Sequence, residues 1–319
     1  MDCILSSMPF WLSLGLGLGL LIAGAEALIR GASGLALRWG VSPLLIGLTI
    51  VAFGTGAPEA IISVGSALTG RPEIAVGNVL GSNILNVFFI LGASALATPL
   101  AISRQLQKVD VPIMIALSLL AWILSFDGSV GLVDSIALII ALVWYTALSI
   151  RLGRQRPSEP DSSQVRPVLG WPWLAAGALL GLALLGVGAR LFVEGSVELA
   201  RLLGVSELVI GLTIVAAGTS LPEAATSIVA AIRREREIAV GNIVGSNIFN
   251  LTGVLGPTGL LAGGIAVPEP CLRLDFPAAV AAAAICLPVF LSGSRISRSE
   301  GALLLAGYGV YLAILIRGA

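Results

Sequence analysis

The chain has 319 residues, of which 57% are hydrophobic and 11% charged, and its mean hydropathy is +1.01, values that exclude an ordinary soluble domain. Lys and Arg balance Asp and Glu at 18 each, so charge points to neither a nucleic-acid nor an anionic-lipid partner. There is no histidine, and Cys3, Cys271 and Cys286 form no spacing motif; any bound metal should therefore be a hard cation held by oxygen, not zinc or haem iron.

Long apolar stretches predict an all-α membrane protein of ten spans. The first, about 9–29, could pass for a secretory leader, but Asp2 precedes it and no Lys or Arg occurs before Arg30. The second, about 42–69, is interrupted by GTGAPE at 54–59. Spans at about 73–97, 109–126 and 131–150 follow, the first of them carrying GNVLGSNILN at 77–86. The Arg-, Ser- and Pro-rich stretch within 151–170 is a linker, too short for a soluble domain. Beyond it come spans at about 171–192, 205–232, 237–262, 276–292 and 299–317, with GTSLPE at 218–223 and GNIVGSNIFN at 241–250.

The halves repeat. Residues 46–92 align without a gap on 210–256, and 27 of the 47 positions are identical. Gly24, Gly31, Gly40 and Val41 also match Gly188, Gly195, Gly204 and Val205, and Asp110-Val-Pro matches Asp275-Phe-Pro after one insertion. Residues 1–150 and 171–319 thus read as two five-helix repeats. A repeat with an odd number of spans crosses the membrane in opposite senses, the inverted plan of secondary transporters, whose site lies near the midplane. With ten spans, 13 of the 18 Lys and Arg fall on the side of the 151–170 linker. That side is expected to be cytoplasmic and both termini outside, in the cell (inner) membrane.

GTGAPE and GTSLPE each place Gly and Pro in the middle of a span, so the second and seventh helices should break there, freeing carbonyls around Ala52 and Ala216. Glu59 and Glu223 follow each proline, and an acidic residue at this depth, at roughly 2.5–3.5 kcal/mol, marks an ion path. In the second signature the helical period puts Ser82 with Asn86, and Ser246 with Asn250, on one face. The inventory is two carboxylates, two amides, hydroxyls and two carbonyls, an oxygen set suited to Ca2+ or, with fewer ligands per ion, Na+.

These paired motifs resemble the α-repeats of the sodium/calcium exchanger family, GTS-x-PE and GN-x-x-GSN-I-x-[ND], within the cation/calcium exchanger superfamily, in a compact prokaryotic form. The resemblance implies electrogenic antiport of about three Na+ for one Ca2+ by alternating access, with Ca2+ extruded. It implies that the Gly-rich first and sixth spans slide across the core, and that the bilayer and the transported ions are the only partners, with no cofactor and no obligate protein partner. It carries ion ligation onto Glu59, Glu223, Thr55, Thr219, Ser220, Ser82, Ser246, Asn86 and Asn250, and onto the carbonyls of Ala52 and Ala216.

The chain departs from the pattern twice. Gly56 stands where the motif has serine, although Ser220 keeps it in the second half, and Asn250 stands where some exchangers have Asp. Gly56 removes one side-chain ligand, and restoring a serine there should strengthen Na+ dependence. A Ca2+/H+ or K+-assisted exchanger using the same glutamates is the nearest alternative. The chain has no serine–histidine pair, and duplication of one glutamate gives no acid/base asymmetry, so no enzyme is expected.

Overall fold

The computed structural model describes residues 8–155, 170–204, 214 and 216–318, and it is all-helical apart from four two-residue strands. Helix α1 (Phe10–Trp39) stops where Gly40 takes φ 64°, a left-handed turn suited to glycine. Ser42 caps α2 (Pro43–Thr55) by accepting the Leu45 amide at 3.2 Å, with Pro43 preset in the first turn. After a 43° bend, α3 (Ala57–Leu68) resumes the span. The first half closes with α4 (Pro72–Ala97), α5 (Leu106–Leu124) and α6 (Leu132–Gln155). The second half holds α7 (Trp171–Leu202), a three-residue α8 (Ala216–Gly218) and α9 (Leu221–Ile232). It ends with α10 (Arg236–Leu261), α11 (Cys271–Leu291) and α12 (Arg298–Gly318).

Among the described residues, seven helices are long and apolar enough to cross a membrane, or eight if the bent pair α2–α3 is one span. Exposed Val133, Ile140 and Val143 on α6, and Trp173, Leu179 and Leu180 on α7, present the apolar exterior such helices need. Of the expected seventh span, 205–213 and 215 lie outside the described residues, as do 156–169 of the linker.

The first and sixth helices run ten residues past their expected ends at 29 and 192. The charged residues near those ends are paired along the helix: Arg30 with Glu26 at 2.6 Å and Arg190 with Glu194 at 2.8 Å. Such i,i+4 pairs support a helix instead of ending it. Arg233, just beyond α9, also donates to Glu26 at 2.8 Å.

Helices α1 and α7 are antiparallel and nearly in backbone contact. Side chains added at Gly17, Gly24 and Gly31 would meet, respectively, the backbone of Gly188 and Phe192, of Gly181 and Leu185, and of Leu174 and Ala178, all within 3.0 Å. Gly17 and Gly24 are the repeat equivalents of Gly181 and Gly188, so the contact is reciprocal.

The two halves are also joined by paired strands. β1 (Leu100–Ala101), after α4, runs antiparallel to β4 (Arg295–Ile296), after α11, while β2 (Ser129–Val130), after α5, runs antiparallel to β3 (Ile265–Ala266), after α10. Two equivalent carboxylates take tyrosine hydroxyls, Asp110 from Tyr145 at 3.1 Å and Asp275 from Tyr311 at 3.0 Å. Each half therefore anchors the start of one helix, α5 or α11, to its closing helix.

The α1–α7 contact leaves no room for a larger residue. Gly181→Leu should lower stability in detergent by about 1–3 kcal/mol through overpacking, while Gly177→Leu, four residues away with nothing within 4 Å of its added Cβ, should change it little. Thermal unfolding of the two purified variants side by side checks this.

Candidate cation site

The break between α2 and α3 follows from local sequence. Pro58 has no N–H to offer the carbonyl four residues earlier, so Gly54 loses its helical donor, and α3 restarts with Pro58 and Glu59 in its first turn. The chain before it is loosened by a π-helical turn at Gly47–Val51, a feature common near functional sites. The second half repeats the design: α9 restarts at Leu221 with Pro222 and Glu223 in its first turn. Each glutamate thus stands at a helix N-terminus, where the backbone dipole favours negative charge.

The Ala52 carbonyl differs from expectation. It accepts the Gly56 amide at 3.0 Å and lies 3.4 Å from the Thr55 hydroxyl, so the proline does not strip it; Gly54 is the residue that loses its donor. A carbonyl has two lone pairs, and the second direction at Ala52 is approached by the Thr55 hydroxyl, whose single proton also has the Val51 carbonyl and Asn242 Oδ1 within reach. In the second half the turn closes on Ala217, which accepts the Ser220 amide at 3.2 Å. Ala216 starts the short α8 just before it.

Glu59 and Glu223 are fully buried, at 0% and 1% exposure. Ser220 donates to Glu59 Oε1 at 3.0 Å and its oxygen accepts the Ser82 hydroxyl at 2.9 Å, bringing α4 and the start of α9 to one carboxylate. Thr55, Thr219, Ser82, Ser246, Asn86 and Asn250 are buried as well. Thr219 stands beside Glu59 and Thr55 beside Glu223.

Two asparagine pairs orient the amides. Asn83 and Asn247 each donate to the other's backbone carbonyl, at 3.0 and 3.2 Å, locking α4 to α10. Their side-chain oxygens then take the Nδ2 groups of Asn250 and Asn86, both at 3.0 Å. With its N–H groups drawn away, each of these amides turns its oxygen free. Asn86 Oδ1, Asn250 Oδ1, Glu59 Oε2, Glu223 Oε2 and Ser246 Oγ are buried with no hydrogen-bond partner among the described residues. Buried oxygens left this way are costly unless something positive meets them.

Sequence reasoning passed over a second tier. Asn78 donates to Ser63 Oγ at 3.0 Å and to the Glu59 carbonyl at 3.2 Å, and accepts from Thr219 at 3.1 Å. Asn242 repeats this with Ser227 at 2.9 Å, the Glu223 carbonyl at 3.4 Å, and Thr55 at 3.2 Å. Each asparagine therefore holds its own half's glutamate helix and the opposite half's threonine. Both pairs lie among the identical positions of the repeat, and that identity was the available signal.

A model of the sodium/calcium exchanger protein family matches residues 9–151 and 173–317. The chain belongs to the sodium/calcium exchanger family. Among relatives, it is 39% identical over 306 residues to the putative antiporter CaxA of Alkalimonas amylolytica, covering 94% of this chain and 96% of that one. It is 32% identical over 343 residues to the sodium/calcium exchanger MaX1 of Methanosarcina acetivorans, with coverage of 96% and 98%. A solved structure of the sodium-calcium exchanger NCX_Mj superposes with a TM-score of 0.81 at 31% identity, over 95% of this chain and 98% of that one.

Within this family fold, α7 lies across both breaks: a side chain added at Gly54 would strike Leu182 at 2.7 Å, and one at Gly218 would strike Val193 at 2.6 Å. The helix pair α1–α7 therefore covers the site.

Asn78 and Asn242 hold candidate ligands in place without being ligand candidates themselves. Asn78→Ala or Asn242→Ala should weaken Ca2+ binding by roughly 10–100-fold, the usual loss when a group that orients metal ligands is removed, in a protein that still purifies as a folded monodisperse species. Calorimetric titration with Ca2+ measures it; unchanged affinity in both variants would remove them from the site.

Proposed function

We propose that this chain is a secondary active antiporter that exchanges Ca2+ for Na+ by alternating access and extrudes Ca2+. One observation carries the proposal: two fully buried carboxylates face unpartnered amide and hydroxyl oxygens, with no cationic side chain among the described residues paired to either. Such a set needs a cation, and its all-oxygen chemistry selects a hard one. Glu59 and Glu223 supply the charge, Asn86, Asn250, Thr55, Thr219, Ser220, Ser82 and Ser246 the neutral ligands, and the Ala52 and Ala216 carbonyls complete the set. The name of MaX1, sodium/calcium exchanger, is consistent with this assignment.

We further propose ten spans in two inverted repeats, 1–150 and 171–319, with α-motifs at 46–92 and 210–256. The antiparallel, reciprocal contact of α1 with its equivalent α7 supports inversion, because same-sense repeats would place equivalent helices parallel. The strand pairs support the span count. Each joins two loops that ten spans would put on the same side of the membrane. On this plan both termini face out and the 151–170 linker is cytoplasmic.

Radiolabelled Ca2+ flux in proteoliposomes, against separate Na+, K+ and H+ gradients, tests the coupling. Uptake should follow an outward Na+ gradient; uptake that follows only the pH gradient would assign the same glutamates to proton exchange. Glu59→Gln or Glu223→Gln each leaves a desolvated Ca2+ short of one charge. Either should weaken binding by about 2–5 kcal/mol, roughly 30-fold or more in affinity, and abolish measurable exchange. Full exchange in either variant would refute the site.

A further inference from the structure

The two halves of the site are not equivalent, and a ring accounts for the difference. In the first half's carboxylate environment, Ser220 bridges Glu59 and Ser82 at 3.0 and 2.9 Å. The repeat counterpart of that bridge would run from position 56 to Glu223 and Ser246. Position 56 is glycine, and Ser246 Oγ and Glu223 Oε2 are buried without partners among the described residues.

The missing hydroxyl cannot simply be put back. A Cβ on Gly56 would stand 2.9 Å from Phe249 Cδ1 and 3.1 Å from its Cε1. The ring is pinned on its other edge, where a side chain on Gly253 would meet Cδ2 and Cε2 at 2.5 Å, and it stacks on Phe53 with centroids 4.6 Å apart. The equivalent positions in the other half are Ser220, Leu85, Phe89 and Ala217. Four positions thus differ between the halves: Gly56 and Gly253 make the notch, Phe249 fills it, and Phe53 backs it. In Gly56→Ser alone the new Cβ would stand 2.9 Å from the ring, so any gain in Na+ dependence requires Phe249 to shift.

Taking the proposed Ca2+/Na+ exchange as its premise, we propose that the Phe249 ring in the Gly56 notch removes one Na+ position and sets the exchange at two Na+ per Ca2+, an electroneutral cycle. The charge balance is direct. Two carboxylates are neutralised by one Ca2+ or by two Na+. A third Na+ would leave a net positive charge in a dry interior, tolerable only if neutral oxygens replace its water. Those extra oxygens are what the second half lacks. Ser246 offers a single hydroxyl without a partner among the described residues, and ring carbon crowds position 56, from which that partner would come.

The test is a ratio and a voltage. In proteoliposomes loaded with purified protein, radiolabelled Na+ and Ca2+ fluxes measured together should stand at two to one. At zero potential a tenfold Na+ gradient should hold a Ca2+ gradient of about 100-fold, against about 1000-fold for three Na+. A K+ diffusion potential set with valinomycin should leave the wild-type gradient unmoved. In Gly56→Ser/Phe249→Leu, which copies the Ser220/Leu85 arrangement, the ratio should rise to three and the gradient should shift tenfold per ~59 mV. A wild-type ratio of three, or a voltage-dependent wild-type gradient, overturns the inference and leaves the antiport proposal standing. A double variant that transports but stays at two overturns the role of the ring. Wild-type Ca2+ flux that ignores Na+ altogether sinks the antiport proposal itself, and this inference with it. If the double variant does not fold, the wild-type flux ratio alone decides.

Discussion

Two buried carboxylates that ionise need a positive partner, and the described residues supply none from the protein. Glu59 and Glu223 have no cationic side chain against them, and a low-dielectric interior makes an unbalanced pair expensive. The surrounding architecture reads as a response to that constraint. Broken helices aim their N-termini at the carboxylates, crossed asparagines strip the amide oxygens of internal partners, and α7 lies over both breaks. Each device would be a defect in a static protein. Together they fit the proposed cation site.

The polar groups fall into two tiers with different tasks. Those with free oxygens (Asn86, Asn250, Ser246 and both carboxylates) can meet an ion. Those with every group committed (Asn78, Asn242, Asn83 and Asn247) hold the first tier still. The second tier also crosses between halves, since Asn78 reaches Thr219 and Asn242 reaches Thr55. A displacement of one half's broken helix therefore pulls on a hydroxyl of the other. That linkage makes the site one unit, even though the sequence supplies it in two copies.

Much of this was legible in the residues before any coordinates. The duplication, the breaks at Pro58 and Pro222, the buried glutamates and the oxygen-only inventory follow from composition, spacing and the dislike of lipid for charge. Helix ends were less so, because Arg30 and Arg190 resemble boundary charges until their i,i+4 partners Glu26 and Glu194 are considered. Asn78 and Asn242 were visible as repeated letters, but their tie to the opposite half depends on how two helix pairs cross, and no local pattern encodes that. Phe249 was hidden for a different reason. Gly56 looked like a simple deletion, whereas three-dimensional packing makes it half of a substitution whose other half lies 193 residues away (249 − 56).

The two short strand pairs have a mechanical consequence. They stitch α4 to α11 and α5 to α10 through the connections beyond their ends, and under the ten-span plan they sit on opposite faces of the membrane. A body laced at both faces has no free seam along which its halves could swing apart like a clamshell. The α1–α7 ribbon takes no part in the lacing, and its glycine-lined contact holds its two members together as a single beam. Strain from an ion change would then run into that beam, with the Glu26–Arg233 bridge as a charged mooring to the laced body.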